Sequence, residues 1–337
     1  MKTTTTILSK PMISRFMSML VTTAVCLSLL GCRAGMNTDY IKSTVVALDT
    51  VVTITLYDTK DQAVLDRAVS LCTDYEKLFS RTLPESDVYR INHSDGKPVK
   101  VDPQTLLLIK EALTYCDMTE GAVDITIAPV KELWDFSGSE NPLLPDEAFL
   151  TNALSHVDYH CITYDEEALT VTLTDQDAQI DLGFIAKGYI ADRIKDYLIS
   201  AGVKSAIIDL GGNVLAIGEK PDGTAFSIGI QTPFEDSVIT VLSTRDSSVV
   251  TAGVYERCFT IDGVLYHHIL DTKTGYPVSN ELLSVTILSD SSMEGDALST
   301  TCLILGSEKA KNLLEGMDGI DAIMITKDYE IYDTRTP

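Results

Sequence analysis

The segment Asp181-Leu-Gly-Phe-Ile-Ala-Lys-Gly-Tyr-Ile-Ala-Asp192 follows an apolar run and continues into residues with helical spacing. It predicts a strand end followed by a helix over residues 184–199. A glycine-containing turn at a helix start exposes backbone N–H groups at the positive end of the helix dipole, which suits a phosphate. Lys187 lies in the first turn, where a cation is unfavourable unless an anion is close. The segment indicates either a phosphate site or an ordinary strand–turn–helix with a solvated lysine.

Strand and helix patterns are mixed irregularly on both sides of this segment. Residues 43–57 predict a strand or hairpin, and residues 61–79 and 104–117 predict helices. Further strands are predicted at 161–164, 169–173, 205–209, 224–231, 238–243, 248–252, 258–262, 265–270 and 282–288, with helices at 293–304 and 307–315 and a last strand at 321–326. Because strands and helices do not alternate regularly, we expect an α+β fold, a single large domain with a mostly antiparallel sheet core and flanking helices.

The N-terminus has the features of a bacterial lipoprotein signal. Three basic residues and no acidic one accompany an apolar stretch over residues 16–30, which is too short and too interrupted for a transmembrane helix. Leu29-Leu30-Gly31-Cys32 resembles the lipobox, in which the cysteine is acylated. We expect a signal peptide over 1–31, lipidated Cys32 with a short linker over 32–42, and the working domain over 43–337. The domain would then be extracytoplasmic and anchored to the cell membrane. An ordinary cleaved signal with an incidental cysteine is the alternative.

The chain of 337 residues is strongly acidic, with a formal net charge of −23. Removal of residues 1–31 deletes three positive charges and no negative ones, which makes the net charge −26. A chain of this charge is repelled by nucleic-acid phosphates, so no nucleic-acid partner is expected. Any phosphate-bearing ligand must therefore be held by local cations.

Five of the seven cysteines lie in the domain, at positions 72, 116, 161, 258 and 302. None forms a C-x-x-C pair and their number is odd, so neither a zinc site nor a complete disulfide framework is indicated. Buried free thiols are the expectation.

Two glycines and an asparagine end the segment Asp209-Leu-Gly-Gly-Asn213, which follows an apolar strand pattern. Paired glycines permit a left-handed turn or a close approach of the backbone to a ligand. Taken alone, the segment predicts a turn.

Two of the five histidines lie in His267-His268-Ile-Leu-Asp-Thr-Lys-Thr-Gly-Tyr-Pro277, after Val250-Thr-Ala-Gly-Val-Tyr-Glu-Arg257. A histidine close to an acid can act as a base near neutral pH, because the acid orients the ring; Asp271 lies three residues after His268. Adjacent strand residues face opposite ways, so at most one of the two histidines can face a site. A structural role on an edge strand is the alternative.

Asp296 and Thr300 are four residues apart in Met293-Glu-Gly-Asp-Ala-Leu-Ser-Thr300, on a predicted helix, so a carboxylate and a hydroxyl project from one face. Donors made only of oxygen suit Mg²⁺. An aspartate near a helix start without a metal is the alternative. The sequence has no G-x-x-x-x-G-K and no strand-borne G-x-G-x-x-G, so a nucleotide must be bound by another device.

In this order, D-x-G-x-I-A-K-G-Y-x-x-D, L-G-G-N, T-x-G-x-Y-E-R, H-x-L-D-x-x-T-G-x-P and D-A-L-S-T resemble the motifs of the FAD:protein FMN transferase (ApbE) family in its lipoprotein form. The resemblance extends upstream, through Phe79-Ser80 with Ser86 and Asn92, and through Glu120-Gly-Ala-Val-Asp124 with Pro129 and Leu133-Trp134-Asp-Phe136. It covers about residues 43–326.

The resemblance implies an enzyme that splits FAD with Mg²⁺, joins FMN by a phosphoester to a Thr or Ser of an acceptor flavoprotein, and releases AMP. It implies metal ligation by Asp296, Thr300 and the backbone carbonyl of Ala186, with His268 as the base. The FAD-binding residues that it implies are Leu48, Thr82, Ala122, Val123, Asp124, Asp181, Gly183, Lys187, Tyr189 and Leu270. The acceptor would be a subunit of a membrane electron-transfer complex or an exported flavoprotein.

Some positions depart from the family pattern. The usual M-G-T is Leu48-Asp49-Thr50, G-x-F-D is Gly121-Ala-Val-Asp124, and Thr82 replaces a frequent aromatic residue. These departures affect ring contacts, whereas the metal ligands are unchanged. Two other functions remain open: hydrolysis of FAD to FMN and AMP at the same site, and a flavin-binding or solute-binding lipoprotein without catalysis.

Overall fold

The computed structural model describes residues 40–136 and 142–335. The expected signal peptide, Cys32 and most of the expected linker lie outside the described residues. The first strand begins at Ile41, two residues before the expected start of the domain. In the described part of the chain, no helix is both long and apolar enough to span a bilayer.

Fifteen strands and eight α-helices occur in the described ranges. The strands are β1 (Ile41–Ala47), β2 (Thr50–Leu56), β3 (Val99–Lys100), β4 (Ile162–Asp165), β5 (Thr170–Leu173), β6 (Ser205–Leu210), β7 (Asn213–Gly218), β8 (Phe226–Gln231), β9 (Val238–Thr244), β10 (Ser248–Gly253), β11 (Cys258–Ile261), β12 (Val264–His267), β13 (Leu282–Ser289), β14 (Asp321–Thr326) and β15 (Ile331–Asp333). The helices are α1 (Gln62–Phe79), α2 (Asp87–Asn92), α3 (Pro103–Met118), α4 (Ala128–Lys131), α5 (Glu147–Leu154), α6 (Ala186–Ser200), α7 (Ser292–Leu305) and α8 (Ser307–Leu314).

An eight-stranded sheet with the order β1-β2-β6-β7-β10-β13-β14-β15 forms the centre of the fold. Every pair of neighbouring strands in it is antiparallel. Helices α1, α6 and α7 pack against it, while the β8–β9 hairpin contributes to a separate cluster with Ile323 and Ile325 of β14. The neighbouring residues Ala322 and Met324 belong to the main core, so both faces of β14 are covered. The expected α+β class with a mostly antiparallel sheet is confirmed.

The differences between the predicted and the observed elements have local causes. Residues 213–218 form β7, which the sequence did not predict because the paired glycines suggested only a turn. Helices α2, α4 and α5 have six, four and eight residues, too few for a clear helical period. Strand β12 ends at His267, so residues 268–270 of the predicted strand over 265–270 lie outside the observed strand.

The five domain cysteines are free thiols, and four of them are buried. Cys258 is half-buried. The expectation of buried free thiols is confirmed for all but this last residue.

Gly188 permits helices α6 and α7 to approach closely. A Cβ atom added at Gly188 would lie 2.1 Å from the backbone oxygen of Ser292 and 2.6 Å from the Cα of Met293. Both contacts are with backbone, so relief requires the two helices to move apart. The sequence motif around residues 181–192 therefore fixes the helix crossing.

We expect Gly188→Ala to destabilise the protein by about 1–3 kcal/mol, because overpacking a close contact forces the backbone to shift. The gain in helix propensity from glycine to alanine, about 1 kcal/mol, opposes this loss. Urea unfolding followed by circular dichroism measures the difference. A variant as stable as the parent protein would contradict the close helix contact.

Candidate functional site

A cavity of about 560 Å³ opens where helices α1, α6 and α7 meet the β1–β2 turn and the loops after α3 and β12. Its lining includes all but one of the residues that the family resemblance implies for catalysis, FAD binding and metal ligation. These lining residues are Leu48, Thr82, Ala122, Val123, Asp124, Asp181, Gly183, Ala186, Lys187, His268, Leu270, Asp296 and Thr300. Residues separated by up to 252 positions in the chain therefore meet at one place.

Tyr189 is the exception, since it is buried in the core and does not line the cavity. Its ring packs edge-on against Phe79 and Tyr75, and its hydroxyl donates to Gln104 Oε1 at 3.1 Å. Residues two apart on a helix face opposite sides, so a helix that turns Lys187 to the cavity turns Tyr189 away. The expected contact of Tyr189 with the ligand is corrected to a packing role.

Asp181 organises one side of the cavity as an ion cluster. Its Oδ2 accepts from Lys131 Nζ at 2.6 Å and lies 3.1 Å from Arg81 Nε, and its Oδ1 accepts from the Gly183 N–H at 2.6 Å. Burial raises the pKa of Asp181, but the two cations outweigh burial and hold the pKa below its ordinary value. The cluster fixes Lys131 and Arg81 beside the cavity, where local cations can hold phosphate oxygens.

Lys187 and Asp296 meet at the crossing of α6 and α7. Asp296 Oδ2 accepts the Gly188 N–H at 2.9 Å, and Lys187 Nζ lies 3.7 Å from Oδ1. No side chain caps α6 at its own N-cap residue, Ile185. The sequence suggested that the N–H groups of this first turn bind a phosphate, but Asp296 accepts one of them. Asp296 is also the anion that offsets the unfavourable position of Lys187.

The residues suggested for a metal fit a hard cation. Asp296 is almost completely buried, and its Oδ1 lies 3.7 Å from the Lys187 ammonium. Thr300 lies one helical turn after it, and Ala186 begins α6 opposite; both line the cavity. Carboxylate, hydroxyl and carbonyl oxygens are the donors that Mg²⁺ prefers.

A second group of possible metal ligands lies elsewhere in the described chain. Atoms of His156, Asp175 and Asp177 lie within 4.8 Å of one another, and none of these residues lines the cavity. His156 Nδ1 already pairs with Asp175 Oδ2 at 2.8 Å. This group lies outside the cavity lining, and its histidine is already engaged by a carboxylate.

His268 is the only one of the two adjacent histidines that lines the cavity. Burial is the main cause that lowers its pKa to about 3, and the nearby cations Lys131, Arg257 and Lys187 lower it further. Its Nδ1 is buried without a hydrogen-bond partner in the described structure. The imidazole is therefore neutral at physiological pH and able to accept a proton.

The two histidines should make stability depend on pH. Burial also lowers the pKa of His267, to about 4. In the unfolded chain both titrate near the ordinary value of 6.5, so below pH 6.5 the unfolded state binds protons that the folded state does not. Stability is complete above pH 6.5 and falls as the pH decreases towards 4, with a slope of up to ~1.4 kcal/mol per pH unit for each histidine.

Urea unfolding at pH values from 7.5 to 4.5 measures this slope, and His268→Gln should make it shallower. Parallel curves for the parent protein and the variant would contradict a neutral, buried His268.

Asp271 does not orient His268, contrary to the expectation from their spacing. Its Oδ1 accepts the N–H groups of Lys273 and Thr274 at 2.9 and 2.8 Å. The carboxylate therefore closes its own turn, as aspartate side chains often do in Asx-turns. Gly275 has this left-handed backbone, with a φ of 71°.

Asp124 also has a structural task. Its Oδ1 accepts from the N–H and hydroxyl of Thr126 at 2.8 and 2.6 Å, and its Oδ2 accepts from the Tyr159 N–H at 2.9 Å. Burial raises the pKa of Asp124, and these hydrogen bonds oppose the rise. Both oxygens are already engaged, so the side chain shapes the wall formed by Ala122 and Val123.

The β1–β2 turn forms another wall through two residues with left-handed backbone. Leu48 and Asp49 both have a φ of 55°, which makes this a two-residue hairpin turn of the type that favours Asn-Gly. The Leu48 N–H donates to Glu76 Oε1 at 3.2 Å, and Arg257 Nη2 donates to the Asp49 carbonyl at 3.0 Å. These contacts hold the turn at the place where this sequence departs from the family's M-G-T.

The sequence did not identify three cavity cations, Arg81, Lys131 and Arg257. Arg81 and Lys131 lie 100 and 50 residues before Asp181, outside the motif that contains it. The available signal was the rule that a buried aspartate after an apolar strand requires a cation. This rule does not say which of the 26 basic residues supplies the cation.

The fold and the site together define a class: an α+β protein whose cation-lined cavity combines a neutral buried histidine with oxygen donors suited to a divalent metal. The model of the ApbE family matches residues 48–324. The chain belongs to the ApbE family.

Similar proteins and structures agree with this assignment. A FAD:protein FMN transferase of Klebsiella pneumoniae (strain 342) is 39% identical over 274 residues, 80% of this chain and 84% of the relative. One of Treponema pallidum (strain Nichols) is 34% identical over 285 residues, 80% of this chain and 78% of the relative.

The crystal structure of the ApbE protein of Thermotoga maritima has a TM-score of 0.80 and 32% identity, and the match covers 88% of this chain and 97% of that one. The flavin transferase ApbE of Vibrio cholerae has a TM-score of 0.78 and 28% identity, over 87% and 96% of the two chains.

Proposed function

We propose that this protein is a Mg²⁺-dependent FAD:protein FMN transferase. It cleaves the pyrophosphate of FAD, joins FMN through a phosphoester to a Thr or Ser of an acceptor flavoprotein, and releases AMP. The observation that carries the proposal is the meeting of His268, Lys187 and Asp296 in one cavity. The names of the relatives support flavin transfer as the reaction.

The cations around the cavity are suited to the substrate's charge. The protein has a formal net charge of −23, yet Arg81, Lys131, Lys187 and Arg257 all line this cavity. Two of them are fixed by Asp181, and a fixed cation loses little freedom when a phosphate binds. Their position supports binding of the FAD pyrophosphate against the unfavourable charge of the whole chain.

Asp296, Thr300 and the carbonyl of Ala186 would hold Mg²⁺. When bound, the ion would supply Lewis-acid stabilisation of the charge on the non-bridging phosphoryl oxygens. Lys187 adds a fixed positive charge beside Asp296, and the packing of α6 on α7 keeps both groups at the same wall of the cavity.

His268 takes the proton of the acceptor hydroxyl. The hydroxyl oxygen then forms a bond to the phosphorus of the FMN half, the bond from this phosphorus to the bridging oxygen breaks, and AMP leaves with that oxygen. A neutral imidazole can accept the proton, and the low pKa of His268 keeps it neutral. The pyrophosphate charge would offset Lys131 and Arg257, so substrate binding should raise this pKa towards the working range.

The acceptor is proposed to be a subunit of a membrane electron-transfer complex or an exported flavoprotein. We further propose that lipidated Cys32 anchors the enzyme to the extracytoplasmic side of the cell membrane, close to such acceptors. The family resemblance supports the kind of acceptor, and the N-terminal sequence pattern supports the membrane anchor.

The decisive experiment incubates the soluble chain from residue 34 with FAD, Mg²⁺ and a candidate acceptor. Mass spectrometry follows the acceptor, and chromatography follows AMP. An FMN adduct together with AMP is the expected result. AMP and free FMN without an adduct would favour hydrolysis, and intact FAD in every condition would exclude both reactions and leave a binding lipoprotein.

A further inference from the structure

Asn213 has a buried side chain beside the proposed metal site, and it has no role in the chemistry proposed above. It begins β7, directly after the two glycines of the L-G-G-N motif, and is 1% exposed. Its Nδ2 is buried and has no hydrogen-bond partner in the described structure. A buried amide donor without an acceptor costs free energy, so a native structure that retains one usually has a use for it.

A chain of hydroxyl groups fixes the orientation of this amide. Ser248 Oγ donates to Ser292 Oγ at 3.0 Å, and Ser292 Oγ donates to Asn213 Oδ1 at 2.6 Å. Each serine hydroxyl has a single proton, so the donation from Ser248 leaves Ser292 to donate onwards. Asn213 must therefore present its oxygen to Ser292 and its nitrogen to the other side.

Asp296 lies on that other side. Ser292 and Asp296 are four residues apart on α7 and share one face of the helix, and Asn213 is in contact with this face through Ser292. The amide thus faces Asp296 but does not form a hydrogen bond to it in this structure.

We propose that Asn213 is a positioning residue, whose side-chain amide holds the Asp296 carboxylate in the rotamer that binds the metal. This inference rests on the proposed use of Mg²⁺. The Gly188 N–H already holds one carboxylate oxygen at 2.9 Å. The unpartnered Asn213 amide would supply a second donor, so that the carboxylate is held from two directions and keeps acceptor positions for the metal.

Loss of a group that orients a metal ligand typically lowers metal affinity by about 10–100-fold. We expect Asn213→Ala to weaken Mn²⁺ binding by this factor, measured by electron paramagnetic resonance with Mn²⁺ and saturating FAD in the absence of acceptor. FAD affinity without metal, measured by fluorescence, should change little. A purely structural role would lower thermal stability without this selective loss of metal affinity.

Ser292→Ala serves as a second variant, because it keeps the amide but removes the hydroxyl that orients it. We expect a smaller loss of Mn²⁺ affinity than in Asn213→Ala, and a still smaller one in Ser248→Ala. Equal Mn²⁺ affinity in the parent protein and Asn213→Ala would overturn the role of Asn213 and leave the proposed metal site intact. Absence of Mn²⁺ binding by the parent protein would overturn the metal site and this inference together.

Discussion

Replacement of Asp296 by Ala is expected to lower the rate of FMN transfer by roughly 10³-fold. A metal that stabilises charge on a phosphoryl group contributes several kcal/mol to the transition state, and each 1.36 kcal/mol is about tenfold in rate. The variant also loses the acceptor of the Gly188 N–H and the counter-charge of Lys187. It should therefore lose about 1–3 kcal/mol of stability as well.

Asp296→Asn separates the two effects. The amide oxygen can still accept from Gly188 and the volume is unchanged, whereas the negative charge that holds the metal is lost. We expect nearly normal unfolding in urea, a comparable loss of transfer, and partial recovery of rate at high Mg²⁺ concentration. A parent-like transfer rate for Asp296→Asn at ordinary Mg²⁺ concentration would exclude Asp296 as the metal ligand.

His268→Ala should reduce kcat for transfer by about 10²–10⁴-fold, the usual contribution of a positioned general base. FAD binding should be retained, because the cations Arg81, Lys131 and Lys187 remain in place. Pre-steady-state measurement of AMP release, with the acceptor in excess, would locate the defect in the chemical step.

His267 provides a matched control for this variant. It is also buried and has a lowered pKa, but it does not line the cavity. We expect His267→Ala to lose stability and to keep kcat close to that of the parent protein. Equal losses of kcat in both variants would point to a general disturbance of the 267–277 segment in place of base catalysis.

The sequence predicted those parts of the site whose geometry is local. The start of helix α6 places Lys187 and Gly188, and one turn of helix α7 separates Asp296 from Thr300. The spacing of each pair was therefore enough to predict its position on its own helix. The same helical geometry could have excluded Tyr189, which lies two residues after Lys187 and must face the other side. The D-T-K-T-G pattern could likewise have assigned Asp271 to its own turn.

Contacts between distant segments could not be predicted in this way. The pairing of Asp181 with Arg81 and Lys131 depends on how α1 and α4 pack around the 181–185 turn, and composition does not determine that packing. The hydrogen-bond chain through Ser248, Ser292 and Asn213 joins three segments of the chain. Such networks become visible only when the sheet order and the helix crossing are known.

The cavity lining begins at Leu48 and ends at Ile304, so almost the whole domain must be complete before the cavity exists. The central sheet also joins distant segments of the chain, since β10 pairs with β7 and β13, and β2 pairs with β6. Long-range pairing of this kind delays folding until distant segments have met. If the chain is exported as proposed, a polypeptide that is still being translocated would have no formed site and would not consume FAD inside the cell.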